Sequence, residues 1–139
     1  MTTFSPIPAY VLGAACFGRG VMAVFSPREE YSHVGLPLES HAAASLPEAV
    51  DGESISGSTS PLMYFKGIRE VSYGLTMMAL QRQGHEDALS TVAAILTLVR
   101  FGDGLVVWLY GGEKLRFRAW GHWITAAGFF GWATWRWRY

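Results

Sequence analysis

The apolar positions of the chain fall into four long runs separated by polar connections. Residues 7–25 are apolar except for Arg19. Residues 61–80 are mostly apolar, with Lys66, Arg69 and Glu70 in the first half. Residues 88–110 are apolar around Arg100 and Asp103, and residues 119–135 hold one ionisable group, His122. Each run is close to ~20 residues, the length at which a helix crosses the hydrocarbon core of a bilayer. A segment in that core must satisfy its own backbone hydrogen bonds, so helix is expected for all four. The pattern predicts an all-α protein: a four-helix transmembrane bundle with a long polar loop, 26–60, between helices one and two. Residues 1–139 form a single integral membrane domain in this reading.

Small and aromatic residues refine the picture. Ala14/Gly18 and Ala127/Gly131 have the spacing that lets membrane helices approach closely. Tyr64, Trp108, Tyr110, Trp120, Trp123, Trp132, Trp135 and Trp137 lie near the ends of the runs, where an amphipathic ring suits the membrane–water boundary. Arg136 and Arg138 between the last aromatics read as an interfacial anchor. Loop 26–60 has no period long enough to form a core, although Pro27-Arg28-Glu29-Glu30 suits the first turn of a short surface helix. The connections 81–87 and 111–118 are short, which predicts antiparallel hairpins of helix two with three and of three with four. Basic residues divide almost evenly between the two sides, so the orientation stays open. The expected location is a multi-pass one in a membrane, with the endoplasmic reticulum one candidate.

Composition agrees with a lipid environment. Of 139 residues, half are apolar and only 16% are charged, against roughly 25% in ordinary soluble domains. The net charge of zero argues against an electrostatic nucleic-acid binder. The lone Cys16 excludes an intrachain disulfide and a multi-cysteine zinc site. His33, His41 and His85 lack metal-ligand spacing, and Glu29 and Glu30 near His33 are a weak cation signal. Gly18 to Ala23 fits a glycine-rich dinucleotide pattern, but Pro27 ends the following helix too soon for a nucleotide-binding unit. Neither metal nor cofactor is expected, and the oligomeric state stays open.

Six charged residues nevertheless fall inside the apolar runs. An ionised group at a helix centre costs about 2.5–3.5 kcal/mol on insertion scales, so each needs a partner or a polar cavity. Their phase supplies one. Lys66, Arg69, Glu70 and Tyr73 are spaced i, i+3, i+4, i+7 on one stripe. Arg100 and Asp103 share a stripe on the third helix, and Arg19 shares a face with Cys16 and Leu12 on the first. The four faces can turn inward, with His122 near the interface of the fourth. Four cations (Arg19, Lys66, Arg69, Arg100) then meet two anions (Glu70, Asp103). Either Lys66 snorkels outward and one carboxylate serves two arginines, or the ligand is acidic or strongly polar.

Two carboxyls in a dry pocket can divide the labour of acid and base. One protonates an ether or epoxide oxygen, and the other activates water or an internal hydroxyl. Glu70 and Asp103 are the catalytic candidates, in either assignment. Arg69, Arg100, Arg19, Tyr73, Lys66 and His122 are the groups that would orient charge or bind substrate. The partners of such a protein are the lipid bilayer and a lipophilic small molecule.

Gly67-Ile68-Arg69-Glu70 with Gly74, followed by Arg100-Phe101-Gly102-Asp103, resembles a domain-of-unknown-function family of small four-helix integral membrane proteins from fungi and bacteria. The resemblance covers most of the chain outside 26–60, and the long first loop departs from the minimal unit. Some members look like hydrolases and cyclases that open epoxides on fungal polyketide products. The resemblance therefore implies an epoxide hydrolase or cyclase of secondary metabolism, acting through Arg69, Glu70, Arg100 and Asp103. The competing expectations are a non-catalytic membrane scaffold or accessory protein whose ion network sets packing, and a membrane-lipid double-bond isomerase.

Overall fold

The computed structural model describes residues 4–38 and 59–138, and these are helical throughout apart from short connections. The elements are α1 (Ile7–Phe25), α2 (Pro27–Val34), α3 (Pro61–Gln83), α4 (Glu86–Tyr110), α5 (Gly112–Leu115), a 3-10 turn (Arg116–Arg118) and α6 (Ala119–Arg138). The ends follow local chemistry. Ser60 caps α3 by accepting from the Leu62 N–H at 3.3 Å, and Gly84 closes the same helix in the left-handed region at φ +73. Glu86 and Asp87 occupy the first turn of α4, where the helix dipole favours anions. The four long helices fall where the apolar runs predict them, each within three residues.

Of the two expected hairpins, that of helix three with four forms, as α4 against α6, and that of helix two with three does not. α1 packs along α3, and α4 packs along α6, both antiparallel. α3 and α4, although joined by a two-residue turn, meet mainly across long charged side chains. The α1–α3 contact is close because glycines face each other, Gly13 near Gly74 and Gly20 near Gly67. A Cβ on Gly20 would lie 2.5 Å from the Val71 backbone nitrogen and 2.6 Å from the Gly67 carbonyl oxygen. The small pairs that spacing picks out, Ala14/Gly18 and Ala127/Gly131, point outward instead. The spacing identifies small residues but not which side of the helix meets its partner.

The loop expected over 26–60 also changes character. Pro27 opens α2 and Gly35 ends it in the left-handed region at φ +96. The short surface helix expected at Pro27 forms, with Arg28, Glu29, Ser32 and His33 outward, and its other face, Glu30, Tyr31 and Val34, is buried. Tyr31 packs with Ala23 of α1 and Met63 of α3, while Val34 packs with Val107 of α4 and Ala119 of α6. α2 thus lies across one end of both helix pairs and ties them together. His41 lies outside the described residues.

The core between the pairs is apolar at its centre, from Cys16, Met77, Leu89, Leu96 and Phe129. At the end away from α2, Arg136 pairs with Glu86, donates to Ser90 Oγ at 2.8 Å, and lies over the rings of Phe4 and Trp132. The outside is apolar as well. Val11, Ile68, Leu98, Ile124 and Phe130 are exposed on four different long helices, whereas a helix facing water carries charged and polar groups there. α1 and α4 are each long and apolar enough to cross a membrane.

Candidate functional site

The in-phase charges of α3 and α4 meet. Glu70 is fully buried and both its carboxylate oxygens are taken by Arg100, with N–O distances of 2.8 and 2.5 Å. Arg100 also donates toward Cys16 Sγ at 3.4 Å. Asp103 receives Arg69 at 3.2 Å on one oxygen, and its other oxygen lies 3.6 Å from Arg100. That second oxygen is buried and accepts no hydrogen bond. One guanidinium thus sits between two carboxylates.

A second cluster was invisible in the charge pattern of the long runs. Glu30 of α2, wholly buried, receives Arg19 of α1 at 2.9 Å and Lys66 of α3 at 3.0 Å on the same oxygen. Lys66 therefore turns inward to Glu30 and does not snorkel. The surplus of cations over anions has its answer in a third acid. The sequence does contain a signal for it: Pro27, Glu30, Tyr31 and Val34 share a stripe at i, i+3, i+4, i+7, and Glu30 is the acid on an otherwise apolar face. Replacing Glu30 by Gln leaves Arg19 and Lys66 against a neutral amide. The expected loss is about 1–3 kcal/mol, kept below the fully buried limit because Arg19 retains solvent contact. Thermal unfolding of the purified protein measures it.

These clusters separate two hollows. A cavity of about 320 Å³ lies between α1 and α6, with Arg100 of α4 in its wall and α2 and the 3-10 turn at one end. Arg19, Arg100, Arg118, His33, His122 and Cys16 line it, with Leu12, Thr125 and Phe129. A larger groove of about 630 Å³ on the other side is lined mainly by apolar residues, with Lys66, Arg69 and Tyr110. Each acidic cluster thus links a cation of the cavity to a cation of the groove: Arg19 to Lys66 through Glu30, and Arg100 to Arg69 through Asp103.

Of the residues singled out in the sequence, Arg100, Arg19 and His122 stand on the cavity wall, and Glu70 and Asp103 stand behind Arg100. Arg69 and Lys66 face the groove, and Tyr73 packs against the central apolar cluster. Arg118 and His33 join the cavity without having been selected. His122 Nε2 lies 3.0 Å from the Val34 carbonyl oxygen. A carbonyl only accepts, so Nε2 carries a proton in this contact, which leaves Nδ1 as the acceptor of the matching tautomer. Among the described residues, no three histidine, cysteine or acidic side chains gather as a metal site.

Residues 13–136 match the model of a domain-of-unknown-function family, DUF4267, and the chain belongs to that family. The match agrees with the resemblance at the level of a domain of unknown function, and its description states no activity. No characterised protein and no solved structure matches the chain.

Proposed function

We propose that this DUF4267 member is a multi-pass membrane protein in which α1, α3, α4 and α6 cross the bilayer as a four-helix bundle. We read its cavity as the active site of a cofactor-independent enzyme that opens an epoxide on a lipophilic molecule, by hydrolysis or by cyclisation. The membrane reading is supported by the outward apolar faces of all four long helices and the inward turn of their charges. The observation that carries the enzymatic reading is Arg100: two carboxylates fix its guanidinium from behind, and it lines a cavity in front.

The chemistry follows from the groups on the wall. Opening the ring breaks a C–O bond and leaves charge on the departing oxygen, and a fixed guanidinium stabilises that charge without reorganising. Water, or a hydroxyl of the substrate, forms the new C–O bond. Its proton goes to a base, and the alkoxide then takes a proton back from the conjugate acid. His122 lines the cavity, and with Nε2 bonded to Val34 its Nδ1 is the nitrogen left for the role of base. Asp103, with one oxygen free of hydrogen bonds, is the alternative that the paired-carboxylate expectation names. In this arrangement Glu70 acts through Arg100 as a positioning residue.

Membranes containing the protein, given C16–C18 epoxides in ¹⁸O water, should yield diols carrying one ¹⁸O. Removing the base, by His122→Gln or by Asp103→Asn, should lower the rate by about 10²–10⁴-fold, and the variant that does so identifies it. Wild-type membranes that form no diol from any member of the set would sink the reading. The complete use of both Glu70 oxygens by Arg100 supports a second reading, a scaffold whose ion network only fixes helix register. Under that reading every substitution changes folded yield alone.

A further inference from the structure

We propose that the cavity takes the acidic head of a single-chain, monoanionic amphiphile, such as a long-chain carboxylate, with Arg118 as its anchoring cation. This deepens the reading of the cavity as a substrate site in a bilayer, and it rests on that reading.

The wall is one-sided in charge. Among the described residues, three arginines and two histidines line the cavity, and no carboxylate does. Arg19 and Arg100 are each held by an acid behind the wall. Arg118 is different: among the described residues no carboxylate lies within ion-pair distance of it, and its Nε is buried without a hydrogen-bond partner. Burying a donor of this kind is unfavourable unless something accepts from it. A carboxylate takes two parallel N–H bonds from a guanidinium, which makes it the fitting acceptor.

The shape favours an amphiphile over a free anion. Arg118, His33 and His122 mark the end closed by α2, while Leu12 and Phe129 mark the other end. His122 and Phe129 are seven residues apart on one helix, roughly 10 Å along its axis. The cavity therefore grades from cationic to apolar, the order in which a head and a chain present themselves. Its volume of about 320 Å³ is at the small end of ligand pockets, enough for a head and its first carbons. The rest of the chain needs a way out. The two walls of the cavity, α1 and α6, share the buried cluster of Ala9, Cys16, Phe129 and Ala133, and the cavity itself is partly open to the surface, so hydrocarbon can leave through that opening. Arg100 lies further from the α2 end than Arg118, so it meets a group several bonds down the chain. An epoxide remote from the acid fits that position.

Cys16, the sole cysteine, lines the cavity and reports occupancy. The full-length protein in phosphatidylcholine vesicles would be labelled with a maleimide in the presence of oleate, methyl oleate, acetate or inorganic phosphate. Oleate should slow Cys16 labelling about tenfold at a concentration where the other three do not, the difference expected of a charge-assisted contact. Arg118→Gln should abolish that preference and Arg118→Lys should retain part of it. Equal protection by oleate and methyl oleate, equal protection by acetate or phosphate, or no protection at all would each overturn the proposal, and the wild type alone decides among these. Turnover of 9,10-epoxystearate against its methyl ester separates the two readings. Protection by oleate without diol formation keeps the anion site and removes the enzyme. Diol formed equally from acid and ester, with no difference in protection, does the reverse.

Discussion

Arg100→Met alone will destabilise the fold by about 3–5 kcal/mol, and adding Glu70→Met will recover most of that loss. The reason is an asymmetry in buried ion pairs. Glu70 has no exposure to solvent, and both its oxygens depend on Arg100. Removing the guanidinium strands a charge among Cys16, the α3 backbone and the apolar core. Removing both charges replaces the pair with two flexible apolar side chains, which buried sites commonly accept without net loss. The measurement is unfolding of the solubilised protein by heat or by denaturing detergent, for the two single variants and the double one. Turnover then gives the second half of the result. If Arg100 receives the leaving oxygen, the double variant folds and stays inactive. If the network is only structural, whatever function the protein has returns with the fold. A double variant as unstable as Arg100→Met would refute the account of the pair.

The second large effect belongs to the α1–α3 contact. Gly74→Val and Gly20→Val will each separate these helices and remove most of the folded protein. A Cβ on Gly74 would lie 2.7 Å from the backbone nitrogen of Phe17, and one on Gly20 lies as close to Val71 and Gly67. Overpacking costs about 1–3 kcal/mol where side chains can shift, and here the obstacle is backbone, so the effect will exceed that range. Gly18→Ala is the control. It lies on the same helix with open space around it, and the change should be neutral or stabilising by up to about 1 kcal/mol, the helix preference for Ala over Gly. Size-exclusion profiles after solubilisation distinguish the three. Equal behaviour of Gly18→Ala and Gly74→Val would show that the glycine contact is not what joins the pair.

What could be read from the sequence follows the range of the physics involved. Helix positions depend on local apolar runs and on turn residues such as Ser60 and Gly84, and they are legible to within a few residues. Phase is local too, so the inward faces that carry Glu70, Arg100 and Asp103 are legible from spacing alone. Partner choice is not local. Two short connections suggested two hairpins, but the tight contact of α3 is with α1, because glycines there permit backbone approach and the charged face of α3 does not. Glu30 escaped for a related reason. Its stripe at 27, 30, 31 and 34 is only two turns long, and its burial depends partly on α3, whose Lys66 is 36 residues away in the chain. The same applies to Arg118, whose place on the cavity depends on the turn that delivers α6.

The charge network also bears on the order in which the chain can be assembled. In the membrane reading, α3 leaves the ribosome with Lys66, Arg69 and Glu70, and each such group weighs about 2.5–3.5 kcal/mol against insertion at mid-bilayer. Glu30 has been synthesised by then and can receive Lys66. Arg100 lies 30 residues further on from Glu70 and leaves the ribosome later. One of the three charges of α3 thus has its partner when the helix first meets the lipid, and the other two gain theirs only when α4 follows. These two helices must be released from the insertion machinery as a unit, with the carboxylate of one and the guanidinium of the other carrying each other in.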